Sequence, residues 1–336
     1  MHTISRPRKE TNSGSKTAHH VVCAIDSEMS YALSVLLGSL ATTHLSPFQL
    51  TVGYLDDALH TRDRVFLEAL CKELRIEVRF LQLTSRQSFI SQGHISPTTF
   101  AKFLLADAIE EAHLWVDADT VALPGWDAIF PAILSATEKE GLVVTSRGNA
   151  YGSRALDPDA LAFNAGILGF PRAKRREWEG PLSSLAVVNT QEQFLFNLLY
   201  ADTAVTVSEK FNLLTYRVDS LDPDDMPFII HYAGAHKPWH LRRDLSQSCV
   251  DHRCPWSAWF EAEEKIFDRL RDTSVLGELK SRQHQALITG RVKLRRDHSG
   301  YNFLRLLTAI GPLAPIVVNL LTLLKQWVPR GTHPIH

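Results

Sequence analysis

Two carboxylates stand two residues apart in Asp117-Ala118-Asp119, directly after the apolar run Leu114-Trp115-Val116. In extended chain, residues two apart share a face. Asp117 and Asp119 are therefore expected to point the same way, with Ala118 turned into close packing behind them. Two like charges on one face repel each other unless a cation neutralises them. Hard oxygen donors at a strand end suit Mn²⁺ or Mg²⁺ bridging a diphosphate. An Asp-x-Asp triplet alone arises often in solvated turns; the strand before it is what gives this one a geometry.

A second segment carries the complementary chemistry. Phe228-Ile229-Ile230 leads into His231-Tyr232-Ala233-Gly234-Ala235-His236-Lys237-Pro238-Trp239. A neutral imidazole at His231 can complete a metal's ligand set. Gly234 lets backbone approach a phosphate with no Cβ in the way. Lys237 supplies a point charge for phosphate oxygens, and Pro238 with Trp239 can stiffen and cover the loop.

The elements that must position these residues follow from periodicity. His20–Ile25, Phe48–Tyr54, Ile76–Phe80 and Leu114–Val116 read as strands. Between them, Leu33, Leu36, Leu37 and Leu40 recur at helical spacing, and 61–75 and about 98–112 also read as helices. This alternation predicts an α/β domain with a mostly parallel central sheet flanked by helices. Ligands in such folds bind beyond the C-terminal strand ends, where Asp26, Asp56 and Asp117 all fall.

The chain has 336 residues, 45% hydrophobic and 22% charged, with a formal net charge of -1. That is ordinary globular composition with no basic field for nucleic acid. Four cysteines are too few for a disulfide framework in this length, which favours a reducing, cytoplasmic compartment. Cys249, His252 and Cys254 lie close together, but their spacing matches no common zinc module, and free thiols on a loop is the plainer reading. Residues 1–18 are polar and basic, without the apolar region of a signal peptide, and read as a disordered tail. Residues 306–324 carry no charge and are flanked by Lys325, Trp327 and Arg330. Pro312 and Pro315 argue against a spanning helix, which leaves a membrane-surface segment or a helix packed on the core.

Taken in order, these residues resemble retaining glycosyltransferase family 8, which has the GT-A fold. The resemblance covers roughly residues 20 to 240. It runs through Ala24-x-Asp26 with Leu33, Val35 and Ser39-Leu40, then Tyr54-Leu55-Asp56-Asp57, and Phe100-Ala101-Lys102 where the family has Tyr-x-Arg. After the Asp-Ala-Asp triplet it continues through Phe163-Asn164-Ala165-Gly166, Glu192-Gln193 with Asn197, Phe211-Asn212 and the His231 segment.

The resemblance implies a hexosyltransferase using a nucleotide-sugar, with UDP as the expected nucleotide, and a carbohydrate-containing acceptor. Asp117, Asp119 and His231 would hold Mn²⁺ on the diphosphate, with Ala118 among the cofactor-binding residues. Gly234, Lys237 and Lys102 would contact the diphosphate. Ala24 and Asp26 would lie near the nucleotide, Asp26 toward the base. Asn164, Ala165 and Gln193 would face the transferred sugar or its acceptor, making Gln193, Asn164 and Asp119 the catalytic candidates. An amide is a poor nucleophile, so Gln193 favours same-face attack over a covalent intermediate. The implied layout is a catalytic domain over 19–245 and a helical extension over 246–336.

Three positions depart from the family pattern. Ser27-Glu28-Met29 replaces the common Asp-Asn-Tyr after Asp26, Phe194 replaces a carboxylate that commonly bonds sugar hydroxyls, and Lys102 keeps the charge of Arg without its fork. A non-catalytic nucleotide-sugar or carbohydrate-binding relative is the second reading. A metal phosphodiesterase could use paired carboxylates too, but would have no evident use for the FNAG and HYAGAHKPW segments.

Overall fold

The computed structural model describes residues 19–84, 96–136, 141–145, 162–172, 192–215, 218, 220–234, 237–240 and 255–296. The tail, Ala235 and His236, the Cys249–Cys254 cluster and the 306–324 segment lie outside them.

The first half alternates as its periodicity predicts: β1 (His19–Ala24), α1 (Ser30–Thr43), β2 (Phe48–Leu55), α2 (Thr61–Leu74), β3 (Glu77–Leu83), α3 (Ala101–Ala108) and β4 (His113–Val116). β3, β2, β1 and β4 lie side by side and run parallel. The helix expected over 98–112 is shorter. A 3₁₀ turn at Pro97–Phe100 precedes α3, and Ile109 is already extended. Pro97 opens that turn, as its fixed φ and missing N–H favour.

Beyond β4 the chain leaves the sheet through β5 (Thr120–Ala122) and α4 (Phe130–Ser135) and re-enters it as β6 (Val143–Thr145). β7 (Ile167–Phe170) then lies between β4 and β6, antiparallel to both. α5 (Glu192–Tyr200) and β8 (Val205–Val207) follow, and the seven-stranded order is β3-β2-β1-β4-β7-β6-β8. A second sheet is built from β5, β10 (Ile229–His231) and β9 (Leu213–Leu214), in the order β5-β10-β9. The architecture is α/β and GT-A-like, with a mixed, mostly parallel central sheet.

Alternation sorts the strand residues onto two faces. Val21, Cys23, Leu114 and Val116 join the apolar cluster under α1 and α2, while Val22 and Trp115 join the one under α3 and α5. Downstream, α6 (Ser257–Arg269) and α7 (Val275–Arg296) pack on α1. Tyr31 donates its hydroxyl to Glu263, and Arg282 reaches Asp63. Among the described residues no helix is long and apolar enough to cross a membrane.

Candidate donor and metal site

The acidic triplet is the junction between the two sheets. β4 ends at Val116 and β5 begins at Thr120, so the chain turns at Asp117–Asp119 instead of continuing extended. The shared-face expectation therefore holds for the wrong pair. Trp115 and Asp117 share a face, and the Trp115 indole Nε1–H donates to Asp117 Oδ1 at 2.7 Å. The two carboxylates meet through the turn. Thr120 Oγ1 donates to the Asp117 carbonyl at 2.8 Å, and Asp117 N–H to the Gly166 carbonyl at 2.8 Å. Ala118 is buried at the turn, as its small size permits.

β10 pairs antiparallel with β5, with His231 opposite Thr120. That register brings His231 Nε2 to 3.3 Å from Asp119 Oδ1 and 3.9 Å from Asp117 Oδ2. Ligand atoms from Asp117, Asp119 and His231 all lie within 4.8 Å of one another. Two carboxylates and an imidazole are a donor set that suits Mn²⁺.

A chain of amides fixes which nitrogen His231 presents. The backbone N–H of Gly166 donates to Asn164 Oδ1 at 2.9 Å, making that oxygen an acceptor. Asn212 Nδ2 donates to the same oxygen at 3.0 Å, so Asn212 Oδ1 is left to accept from His231 Nδ1 at 3.0 Å. Nδ1 is thereby the ring nitrogen that donates to Asn212, and Nε2 is the one turned toward the carboxylates. In the same way Gln193 Oε1 accepts from Ala165 N–H at 3.2 Å and from Asn164 Nδ2 at 2.9 Å. Asn197 ties α5 to this strip through the Phe163 backbone N–H and carbonyl, both at 2.8 Å.

Two lysines balance the acids. Lys102 is buried, 3.2 Å from Asp117 Oδ1 and 3.1 Å from Glu192 Oε1, with its charge over the Trp115 ring. Burial alone would lower its pKa, but the two carboxylates outweigh it and raise it. Lys237 Nζ lies 2.5 Å from Asp119 Oδ2 and donates to the Tyr232 carbonyl at 2.8 Å. Burial works against the charge of Asp119, yet Lys237 and His231 more than compensate and hold it far below the usual carboxylate range. Asp117 goes the other way: burial, only partly countered by Lys102, lifts it above that range.

The remaining sequence candidates sit around this centre. Ala24 ends β1, and Asp26 caps the turn at Ser27–Met29, accepting Met29 N–H at 3.2 Å and the Ser96 hydroxyl at 2.9 Å. Met29 packs partly on the core, and Phe194 against the α3–α5 cluster. Gly234 has φ +100°, and among the described residues beyond its chain neighbours nothing lies within 4 Å of where a Cβ would stand, so backbone conformation favours glycine there. Three participants escape single-residue reading: Trp115, Glu192 and Asn212. Their chemistry appears only with their distant partners, although Glu192 and Asn212 fall inside short family-like matches.

The family described as Glycosyl transferase family 8 matches residues 20–242. The chain belongs to glycosyltransferase family 8. Within it, the chain is 25% identical over 188 residues to glycosyltransferase GlyD of Streptococcus pneumoniae serotype 4, a match covering 49% of this chain. It spans well under two thirds of the curated relatives it matches, 22% of GlyD and 44% of GlyB from the same organism. In fold it is similar to the galactosyltransferase LgtC, solved with donor and acceptor sugar analogs: TM-score 0.58, 21% identity, 74% of this chain and 95% of that one. GlyE of the same Streptococcus pneumoniae strain superposes with TM-score 0.50 at 18% identity, over 77% of this chain and 64% of GlyE.

Proposed function

We propose that this family 8 chain is a retaining glycosyltransferase that moves a hexosyl group from a UDP-sugar to a saccharide, glycolipid or glycoprotein acceptor. The observation that carries the proposal is the convergence of Asp117, Asp119 and His231 at the junction of the two sheets. Bound there, Mn²⁺ supplies Lewis-acid stabilisation of the departing nucleoside diphosphate. The protein's own groups do the rest. Lys237 holds a second positive charge beside Asp119, and Lys102 pairs with Asp117.

Asn164 and Gln193 are the residues we assign to the transferred sugar and its acceptor. Gln193 Oε1 already accepts two hydrogen bonds, which disfavours its attack on the anomeric carbon and supports same-face displacement. The likeness to LgtC, whose structures include an active-site glutamine-to-glutamate variant, is consistent with that assignment. Ala24 and Asp26 we assign to the nucleotide, and Gly234 to the diphosphate. Residues 19–245 would form the catalytic domain, with 246–336 as its helical extension and 306–324 as a membrane-surface contact.

NMR of the product's anomeric proton tests the reaction. A product of the donor's own anomeric configuration is expected, and an inverted one would sink same-face attack. Removing residues after about 300 should abolish liposome binding; unchanged binding would refute the membrane contact.

A further inference from the structure

The family match ends at residue 242, and α7 lies wholly beyond it. This helix nevertheless reaches the elements that flank both ends of the proposed donor site. Arg282 is buried, with Nη1 donating to Asp63 Oδ1 and, at 3.0 Å, to Ser30 Oγ; Nη2 donates to Glu278 at 2.8 Å. Its guanidinium also lies over the Phe66 ring, 4.2 Å from the centroid. Ser30 Oγ passes the connection on, donating to the Ser27 carbonyl at 2.9 Å. Ser27 Oγ accepts His60 N–H at 2.8 Å, just ahead of the helix that carries Asp63. The turn that Asp26 caps is thus anchored from α7.

Two turns further along the same stripe of α7 comes Gly290. A Cβ there would stand 2.6 Å from His240 Cβ and 2.7 Å from His240 Cα, so helix and loop touch without room for one methyl group. His240 N–H donates to the Lys237 carbonyl at 3.1 Å, which makes the contact a stop for the segment that carries Lys237. Ala286, between the two positions, packs on the core.

We infer that α7 braces the donor site: Arg282 is a positioning residue for the base-side turn at 26–29, and Gly290 sets the position of the Lys237 segment on the diphosphate side. Arginine suits the first task because three acceptors from three elements converge on one planar fork, which lysine cannot reproduce. The inference rests on the proposed UDP-sugar reading, in which those segments meet base and diphosphate.

Calorimetric binding of UDP and of inorganic pyrophosphate, each with Mn²⁺, to the full chain separates the two contacts. Arg282→Lys should weaken UDP about tenfold and leave pyrophosphate unchanged; Gly290→Ala should weaken both by about tenfold or more, since small misplacements at such sites cost that much. Gly277→Ala, in the same helix with open space around it among the described residues, should bind as the parent chain does. Circular dichroism melts confirm that each variant is folded. Folded Arg282→Lys and Gly290→Ala proteins that bind both probes like the parent would overturn the brace alone, as would an equal loss in Gly277→Ala. A parent chain that binds neither probe would overturn the donor reading and the brace with it.

Discussion

The imidazole of His231 occupies the space that a side chain on Gly166 would need. A Cβ at Gly166 would stand 2.1 Å from His231 Cε1 and 2.5 Å from Nδ1. The glycine of the Phe163-Asn164-Ala165-Gly166 strip is therefore the seat of His231, the third candidate metal ligand, which stands on a strand remote in sequence from it.

Gly166→Ala should push His231 away from Asp119. Overpacking of this kind costs about 1–3 kcal/mol in stability. Activity should fall more steeply than the melting temperature, and Mn²⁺ titration of turnover should shift to higher concentration. A folded Gly166→Ala protein with parental Mn²⁺ dependence would contradict the seat.

Asn212 orients His231 from the far side of the ring. Removing such a partner of a metal-ligating histidine typically costs roughly 10–100-fold in metal affinity. Asn212→Ala should show that loss in a Mn²⁺ titration, whereas Asn212→Asp, which still accepts from Nδ1–H, should recover most of it. Equal behaviour of the two variants would argue against the orienting role.

Lys102 should matter for stability as well as for the site. Lys102→Met leaves Asp117 and Glu192 without their shared cation, and breaking a buried pair costs roughly 3–5 kcal/mol. Because Asp117 is 22% exposed, the lower end of that range is expected. Denaturant unfolding measures it, and a loss below about 1 kcal/mol, the worth of an exposed pair, would contradict the buried arrangement.

His20 sets an acid limit far from the site. Burial, aided by Arg79 and opposed by Glu111, lowers its pKa to about 4 from 6.5. The folded state thus resists a proton that the unfolded state accepts. Stability should fall as pH drops below 6.5, and the loss should be complete near pH 4, reaching up to about 3 kcal/mol. His19 is shifted the same way by burial. His20→Gln, which can still pair with Thr51, should flatten this part of the stability profile. An unchanged slope would assign the acid loss to other groups.

The part of this fold legible in the sequence is the part whose residues declare themselves locally. Strand and helix alternation through β4 follows from the spacing of Leu33, Leu36, Leu37 and Leu40 and from the apolar runs around them. Asp117, Asp119, His231 and Lys237 announce their chemistry by type, and the structure brings all four together. Their geometry was less legible. The turn at Asp117–Asp119 exists because β5 belongs to a second sheet, and that sheet depends on pairing with β10 more than a hundred residues away. Trp115 reads as core from sequence, and its indole N–H becomes a carboxylate donor only because Asp117 lies on the same face. Arg282 shows locally only its i,i+4 pairing with Glu278 on the same helix; its bonds to Asp63 and Ser30 come from elements more than two hundred residues away.

The central claim is that Asp117, Asp119 and His231 serve a metal-dependent nucleotide-sugar reaction. The most direct measurement is release of UDP from a panel of UDP-sugars by the purified chain, with and without Mn²⁺, beside Asp119→Ala. The account predicts release from at least one donor that requires Mn²⁺ and falls by about a hundredfold or more in the variant, the scale of losing an electrostatic contact made in the transition state. Release that persists without metal, or that is equal in Asp119→Ala, would contradict it. So would nucleotide binding with no turnover across the panel.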